Sequence, residues 1–350
     1  MIFKNKQHLV LIKNKLFSSY RNRIQLIVFI ITIATGFQFY LYVSQILSDE
    51  PLTVHRPTGV EGFLPIGALM GWKYFFTTGI WDSIHPASMV LLGFAVLISF
   101  LFRRSFCGWF CPVGTLSEWV WKIGESKLGK NLRFPIWMDL PLRSIKYILL
   151  GFFAYIILQM SPSDIAAFFE STYYKIADIK MLHFFTKISL LTATTLFALT
   201  LLSFFFRNFW CRYACPYGAM LGLFSLFSPA RIVRNPQSCI HCGRCSQVCP
   251  SHLPVDIKQR IVTPECTSCM DCVNICPSKN TLELKSWIFQ KTVTTPQMGS
   301  GILIIFCVMI YIAGITGHWK TRLSDDEFKM WLKISDPSMI QHPSVQLKER

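Results

Sequence analysis

Five apolar stretches, roughly residues 24–47, 86–103, 144–161, 187–206 and 299–317, are each long enough to cross a hydrocarbon layer of about 30 Å as a helix. Lipid offers no partner to a free backbone N–H or C=O, so this pattern restricts the fold to helices that satisfy their own backbones. A polytopic α-helical membrane protein is therefore expected. Composition agrees, with 52% of the residues hydrophobic and only 15% charged, which is too apolar for an ordinary soluble domain. A sixth apolar segment, 62–81, carries Pro65, Lys73 and four glycines. If it spanned, the basic loop 103–146 would face outward, so it reads as interfacial or re-entrant.

The net charge of +16 raises the question of nucleic acid, but the cations flank the apolar stretches instead of forming one basic stripe. Their distribution sets an orientation. Segments 1–23, 103–146 and 207–299 carry 24 Lys and Arg, against 11 in 48–85, 161–187 and 318–350. The positive-inside bias places the first group in the cytoplasm and the C-terminal tail outside. The first stretch follows Lys4, Lys6, Lys13, Lys15, Arg21 and Arg23, is longer than a signal-peptide core and shows no small-residue cleavage site. It reads as an uncleaved signal anchor.

Eight of the thirteen cysteines form one spacing written twice: Cys239-x2-Cys242-x2-Cys245-x3-Cys249-Pro250 and Cys266-x2-Cys269-x2-Cys272-x3-Cys276-Pro277. This is the bacterial two-cluster ferredoxin run, in which three close thiolates wrap one [4Fe–4S] cubane and the fourth crosses to the other. The expected ligand sets are Cys239, Cys242, Cys245 and Cys276 for one cluster, and Cys249, Cys266, Cys269 and Cys272 for the second. Paired zinc knuckles have no reason to repeat this spacing twice. Cytoplasmic placement also suits thiols that must stay reduced.

A second repeat has a constant offset of 104 residues. Phe102-Arg103-Arg104-Ser105-Phe106-Cys107-Gly108-Trp109-Phe110-Cys111-Pro112-Val113-Gly114 returns as Phe206-Arg207-Asn208-Phe209-Trp210-Cys211-Arg212-Tyr213-Ala214-Cys215-Pro216-Tyr217-Gly218. Each copy closes a helix running inward, which predicts two parallel repeats. The i, i+4 spacing places Cys107 with Cys111, and Cys211 with Cys215, on one helical face, with Pro112 and Pro216 where a helix ends or kinks. Paired about a pseudo-twofold axis, the four thiols would converge at the cytoplasmic membrane edge, to hold a metal, work as a redox dithiol or serve a quinone site. Packing of small side chains is the plain alternative. Arg103, Arg104, Arg207 and Arg212 would then depress the thiol pKa values, and Trp109 and Tyr213 would border the quinone.

At these motifs, and at Gly59-Val60-Glu61-Gly62-Phe63-Leu64-Pro65-Ile66, the sequence resembles the NapH/NosR-type membrane polyferredoxins, within them the YccM-like branch. The resemblance covers most of the chain. It implies an electron-transfer component of the bacterial cytoplasmic (inner) membrane, in several relatives linked to quinol oxidation or to periplasmic reductases. An N-terminal flavin-binding domain of the NosR kind is not seen, so flavin chemistry does not carry over.

The organisation expected is a basic tail (1–23), a membrane domain (24–234), an inserted α+β ferredoxin-like domain (235–285), a linker and last helix (286–317) and an outer tail (318–350). The cofactors expected are two [4Fe–4S] clusters, with a quinone or third metal site at the Cys-x3-Cys-Pro motifs. The partners expected are membrane lipid, quinone or quinol and a protein redox partner. Two other functions stay open: a reductase of a metal such as Cu(II), and a non-redox sensor or assembly factor. His85 and His183 read as interfacial or surface residues, as do His241 and His252. Glu61, Asp82, Asp164 and Glu170 read as solvated loop acids or quinol proton handlers, and Cys307 as a packing residue of the last helix.

Overall fold

The computed structural model describes residues 19–48, 51–286, 288 and 291–334. Most of the basic tail, with its four lysines, and the end of the outer tail lie outside the described residues. The chain runs α1 (Tyr20–Leu47), a 3-10 turn (Thr58–Phe63), α2 (Pro65–Thr78), α3 (Pro86–Phe102), α4 (Ser105–Trp109), α5 (Pro112–Leu128) and α6 (Ile136–Gln159). Then come α7 (Pro162–Glu170), α8 (Thr172–Lys175), α9 (Ala177–Thr186), α10 (Leu190–Phe205), a π-turn (Trp210–Ala214) and α11 (Pro216–Leu226). Strand β1 (Ala230–Arg234), α12 (Arg244–Val248), α13 (Asp271–Ile275), β2 (Leu282–Ser286) and β3 (Thr292–Val293) lead to α14 (Thr295–Ile315) and α15 (Asp325–Ile334).

Three helices, α1, α6 and α14, are long and apolar enough to cross a membrane, and α9 with α10 makes a fourth candidate bent by 75°. Helix α3 has 17 residues, about 26 Å of rise, and falls just short. At most 22% of the apolar window of any of the three long helices is buried. Rows such as Ile148, Phe152, Tyr155 and Leu158 on α6 stand exposed, an arrangement costly in water and natural in hydrocarbon. Cys307 belongs to such a row on α14 and does not pack as expected. Helix α6 begins eight residues before the predicted span at 144 and runs through Pro141, its sixth residue, which forgoes one backbone hydrogen bond. Segment 62–81 forms α2, 14 residues long, with the Lys73 ammonium donating to the carbonyls of Ile157, Leu158 and Met160 at the end of α6.

By compactness the chain divides into two units whose boundaries fall inside α1, α3, α6, α10 and α14. The first unit holds residues up to 30, 95–151 and 194–306. In it β1 pairs antiparallel with β2 (Ile232 opposite Leu284) and β2 with β3, so the cysteine-rich segment enters and leaves at one place. Helix α5 presses on the end of α10 so closely that a Cβ on Gly124 would collide with the carbonyl oxygen of Phe204.

The second unit holds residues 31–94, 152–193 and from 307 on. Its core packs Phe39, Tyr42 and Ile46 of α1 against Ile176, Ile179 and Phe328. Beside it lies a buried set of Arg56, His85 and two carboxylates. Arg56 donates to Asp178 at 2.7 Å and pairs with Glu61 at 3.3 Å, and the His85 Nδ1 lies 3.5 Å from Glu61. Glu61 also accepts from the N–H of Ala87, and Tyr174 donates to Asp82 at 2.5 Å. Glu61, Asp82 and His85 are therefore not solvated loop or surface residues, because each finds a charged or hydrogen-bonding partner inside. Asp164 and Glu170 are exposed.

Burial pulls His85 down, but its hydrogen bond to Glu61 and that carboxylate's charge leave it above its ordinary value. A raised folded-state value stabilises below the unfolded value of about 6.5 and stops doing so as pH rises through the folded value. Melting of the detergent-solubilised protein is expected to be higher at pH 6 than at pH 8.5. His85→Gln should flatten that difference, and an unchanged profile would remove His85 as its source.

Candidate functional site

Each cysteine run is bent by left-handed residues on both sides of its middle cysteine: His241 and Gly243 about Cys242, Ser268 and Met270 about Cys269. Only glycine adopts this backbone freely, and three of the four positions are not glycine, so the turns are held by their surroundings. The result is two cavities. Cys249, Cys266, Cys269 and Cys272 line one, and Cys239, Cys242, Cys245 and Cys276 line the other. Among the described residues no three His, Cys, Asp or Glu side chains are poised to hold a single metal ion. Four thiols set apart around one cavity instead suit a cluster, whose ligands stand further apart than those of one ion, and soft thiolates suit iron–sulfur chemistry.

The two cavities differ in what surrounds them. Both membrane motifs seat the first. The indole N–H of the fully buried Trp109 donates to the carbonyl of Ser268 at 2.9 Å, and a Cβ on Gly108 would lie 2.9 Å from the carbonyl oxygen of Thr267. Arg103 donates to the carbonyl of Thr263. From the second motif, Arg207 donates to the carbonyls of Gln247 (2.7 Å) and Cys249 (3.2 Å), and Arg212 to that of Ser251 (2.6 Å). Arg212 and Tyr213 are fixed from behind by Asp139. We term this cavity proximal. Its four cysteines are 7–8% exposed. The other, distal cavity is bordered by hydrogen bonds that stay inside the segment, from Ser246 to Asp256 and from Ser278 and Thr281 to Ser238. Cys242 there is exposed.

Two further buried networks tie the proximal run to the membrane helices. Arg21 forks onto Glu118 at 2.6 and 2.8 Å, reaches Asp271 at 3.0 Å and donates to the carbonyl of Gly108. Burial alone would raise Glu118, but Arg21 and Lys122 hold it well below the usual carboxylate range. Glu265, next to Cys266, accepts from Lys146 at 2.6 Å and pairs with Arg104 at 3.6 Å. Sequence reasoning missed Arg21, which it placed in a solvated tail, and missed Glu118, Lys146, Glu265 and Asp271. The signal available was a carboxylate beside or inside the second cysteine run, at 265 and 271.

The Cys-x3-Cys-Pro motifs depart from the helical-face expectation. Cys107 lies in α4, but Cys111 is extended, because the residue before a proline avoids the helical region. Pro112 and Pro216 do not end helices; they start α5 and α11 at the first position, where their missing N–H is not needed. Cys111 and Cys215 act as N-caps, their sulfurs accepting from the N–H of Gly114 (3.4 Å) and Gly218 (3.3 Å). The four thiols lie close enough for their charges to act on one another, and Tyr217, also missed, is near enough to feel three of them. The arginines do not depress these thiols. Burial pushes Cys107 up to about 11 and Cys111 to about 12, and raises Cys211 and Cys215 as well. Arg104 opposes this at Cys107, Cys211 and Cys215 without overcoming it, while Arg103, Arg207 and Arg212 donate to the proximal run. Trp109 and Tyr213 are buried and donate to Ser268 and Asp139.

The copies also differ at their glycines. A Cβ on Gly114 would lie 2.5 Å from the carbonyl oxygen of Cys107, whereas the nearest atoms to one on Gly218 are 3.6 Å away. Gly114→Ala is expected to destabilise by about 1–3 kcal/mol and Gly218→Ala to be neutral or mildly stabilising. Thermal melts in detergent read the contrast, and equal effects would contradict it.

A family profile described as "4Fe-4S binding domain" matches residues 84–131 and again 188–234, and one described as "4Fe-4S dicluster domain" matches 231–277. The two matches of the first begin 104 residues apart, the offset of the membrane motif. The chain is 44% identical over 250 residues to YccM of Escherichia coli (strain K12), assigned by name to electron transport. That alignment covers 71% of this chain and 70% of YccM. Similarity extends to the methylamine utilization ferredoxin-type protein MauN of Methylorubrum extorquens, 27% identical over 47% of this chain and 54% of MauN. The regulatory protein NosR of Stutzerimonas stutzeri is 29% identical over 53% of this chain and 24% of NosR. No solved structure matches the chain.

Proposed function

Because the chain belongs to the NapH/NosR-type family of membrane polyferredoxins, we propose that it passes electrons between the quinone pool and a redox partner through two [4Fe–4S] clusters. The cluster in the proximal cavity would be held by Cys249, Cys266, Cys269 and Cys272, and that in the distal cavity by Cys239, Cys242, Cys245 and Cys276. When bound, such groups supply one-electron redox centres. The protein's own residues fix their order. Trp109, Arg103, Arg207 and Arg212 fasten the proximal run to the membrane motifs, and the distal run is left open to solvent.

The single observation that carries this reading is the sorting of eight cysteines into two four-thiol cavities, one buried under both membrane motifs and one partly open, with Cys242 exposed. The quinone site is best placed at the four Cys-x3-Cys-Pro thiols and Tyr217, which adjoin Arg104 and, through Glu265, the proximal run. Five spans, with the N-terminus, the motifs and the ferredoxin segment in the cytoplasm of a bacterial inner membrane, complete the proposal. The charge distribution supports it, as do the long apolar helices α1, α6 and α14.

The test is reduction of membranes with a quinol analogue under anaerobic conditions, followed by EPR. Two interacting [4Fe–4S] signals are expected to appear. Membranes whose clusters stay oxidised with quinol, and which when reduced cannot pass electrons to quinone, would overturn the proposal. The metal-reductase alternative rests on the convergence of the four thiols. It requires that Cys107→Ser with Cys211→Ser abolish Cu(II) reduction while leaving quinol-driven cluster reduction intact.

A further inference from the structure

The solvent face of the distal cavity has a composition of its own. Cys242 is exposed, and so is Ile240 (64%), which lines the cavity with it; Ile257 (73%) follows the lining residue Asp256. Arg244 also lines the cavity, Lys258, Arg260 and Lys279 stand within four residues of lining positions in the chain, and all four are exposed. The three carboxylates between 235 and 282 are not available to balance them. Glu265 is buried under Lys146 and Arg104, Asp271 is drawn to Arg21, and Asp256 is half-buried and accepts from Ser246. An apolar centre beside an exposed redox ligand, inside a one-sign charged rim, is the anatomy of a transient protein-docking surface. A lipid headgroup surface could meet both the cations and the isoleucines, but it leaves an exposed redox ligand, Cys242, with nothing to exchange electrons with.

We propose that this face docks a small, soluble, acidic one-electron carrier protein, whose carboxylates meet Arg244, Lys258, Arg260 and Lys279 while its redox group approaches Cys242. The inference rests on the distal cavity being the outward end of the electron path. One electron leaves one partner and arrives at the other per encounter, and no bond forms or breaks. Electrostatic steering of this kind sets encounter rate and specificity more than it sets tight affinity.

The experiment measures binding of an acidic flavodoxin to the holoprotein in nanodiscs, zwitterionic or anionic, at 50 and 200 mM salt. Binding in zwitterionic discs should weaken about tenfold between the two salt concentrations, as screened opposite charges do. Replacing Arg244, Lys258, Arg260 and Lys279 together by Glu should abolish it. Reversing Lys127 and Lys130, exposed cations elsewhere in the first unit, should leave it unchanged. No binding to the wild type, or equal binding by the fourfold variant, overturns the proposal. Binding lost in anionic discs shows that lipid headgroups occupy the face, and overturns it too. Quinol-driven EPR on the same samples separates the two readings. Clusters that reduce without carrier binding refute the docking surface alone, and carrier binding to clusters that quinol cannot reduce refutes the quinone assignment alone.

Discussion

Cys272→Ala is expected to leave the distal cluster assembled but unreachable by quinol. The substitution removes one of four thiols from the buried cavity, where no solvent-side residue can replace it. Cluster iron should fall by about half, from eight to four per chain. The remaining distal signal should appear with dithionite and not with quinol. Cys242→Ala should do the reverse: the same loss of iron, a proximal signal that quinol still develops, and no transfer to a soluble acceptor. The pair of variants reads the order of the path directly. If quinol still reduces the distal centre of Cys272→Ala, the proximal cavity is not on the route from the membrane.

The second large effect is expected at Arg21. Its guanidinium is the shared partner of Glu118 and Asp271, and it also holds the carbonyl of Gly108, so three groups lose a contact when it goes. Removing one partner from a buried ion network typically costs about 3–5 kcal/mol, because the charges left behind are neither solvated nor paired. Glu118 keeps Lys122 at 2.5 Å, which places Arg21→Met toward the lower end, about 3 kcal/mol. Lysine cannot reproduce the fork, so Arg21→Lys should recover only part of the loss. Detergent melting temperatures supply the comparison. Because Asp271 lies between Cys269 and Cys272, the methionine variant should also release iron from the proximal cavity first on heating, and simultaneous loss from both cavities would count against a local role.

What could be read from residue order was whatever is encoded locally. The doubled cysteine spacing marked the cluster-binding segment, and the constant offset of 104 marked the paired motifs, because both are short-range patterns. Membrane character followed from run length and composition in the same way. The rest depends on contacts between residues far apart in the chain. Nothing local says that Trp109 will meet Ser268, or Arg207 the carbonyl of Cys249, so the proximal and distal ends could not be told apart. Glu61 and His85 look like loop residues until Arg56 and Asp178 arrive from elsewhere to balance them. One error was avoidable. The proline rule that fixed the motif's boundary also forbids a helical Cys111 or Cys215, and applying it one residue earlier separates each cysteine pair from a shared helical face.

The residues that seat the proximal run share a property visible only along the time axis of synthesis. Arg21, Arg103, Trp109, Arg207 and Arg212 all precede Cys239, the first cysteine of the segment. Each of these residues is therefore synthesised before the first cysteine of the segment. Among the described elements, β3, α14 and α15 are added after it. Maturation thus has a natural sequence, with the membrane part first and iron–sulfur loading second. A chain halted before residue 235 carries the whole receptacle without its contents.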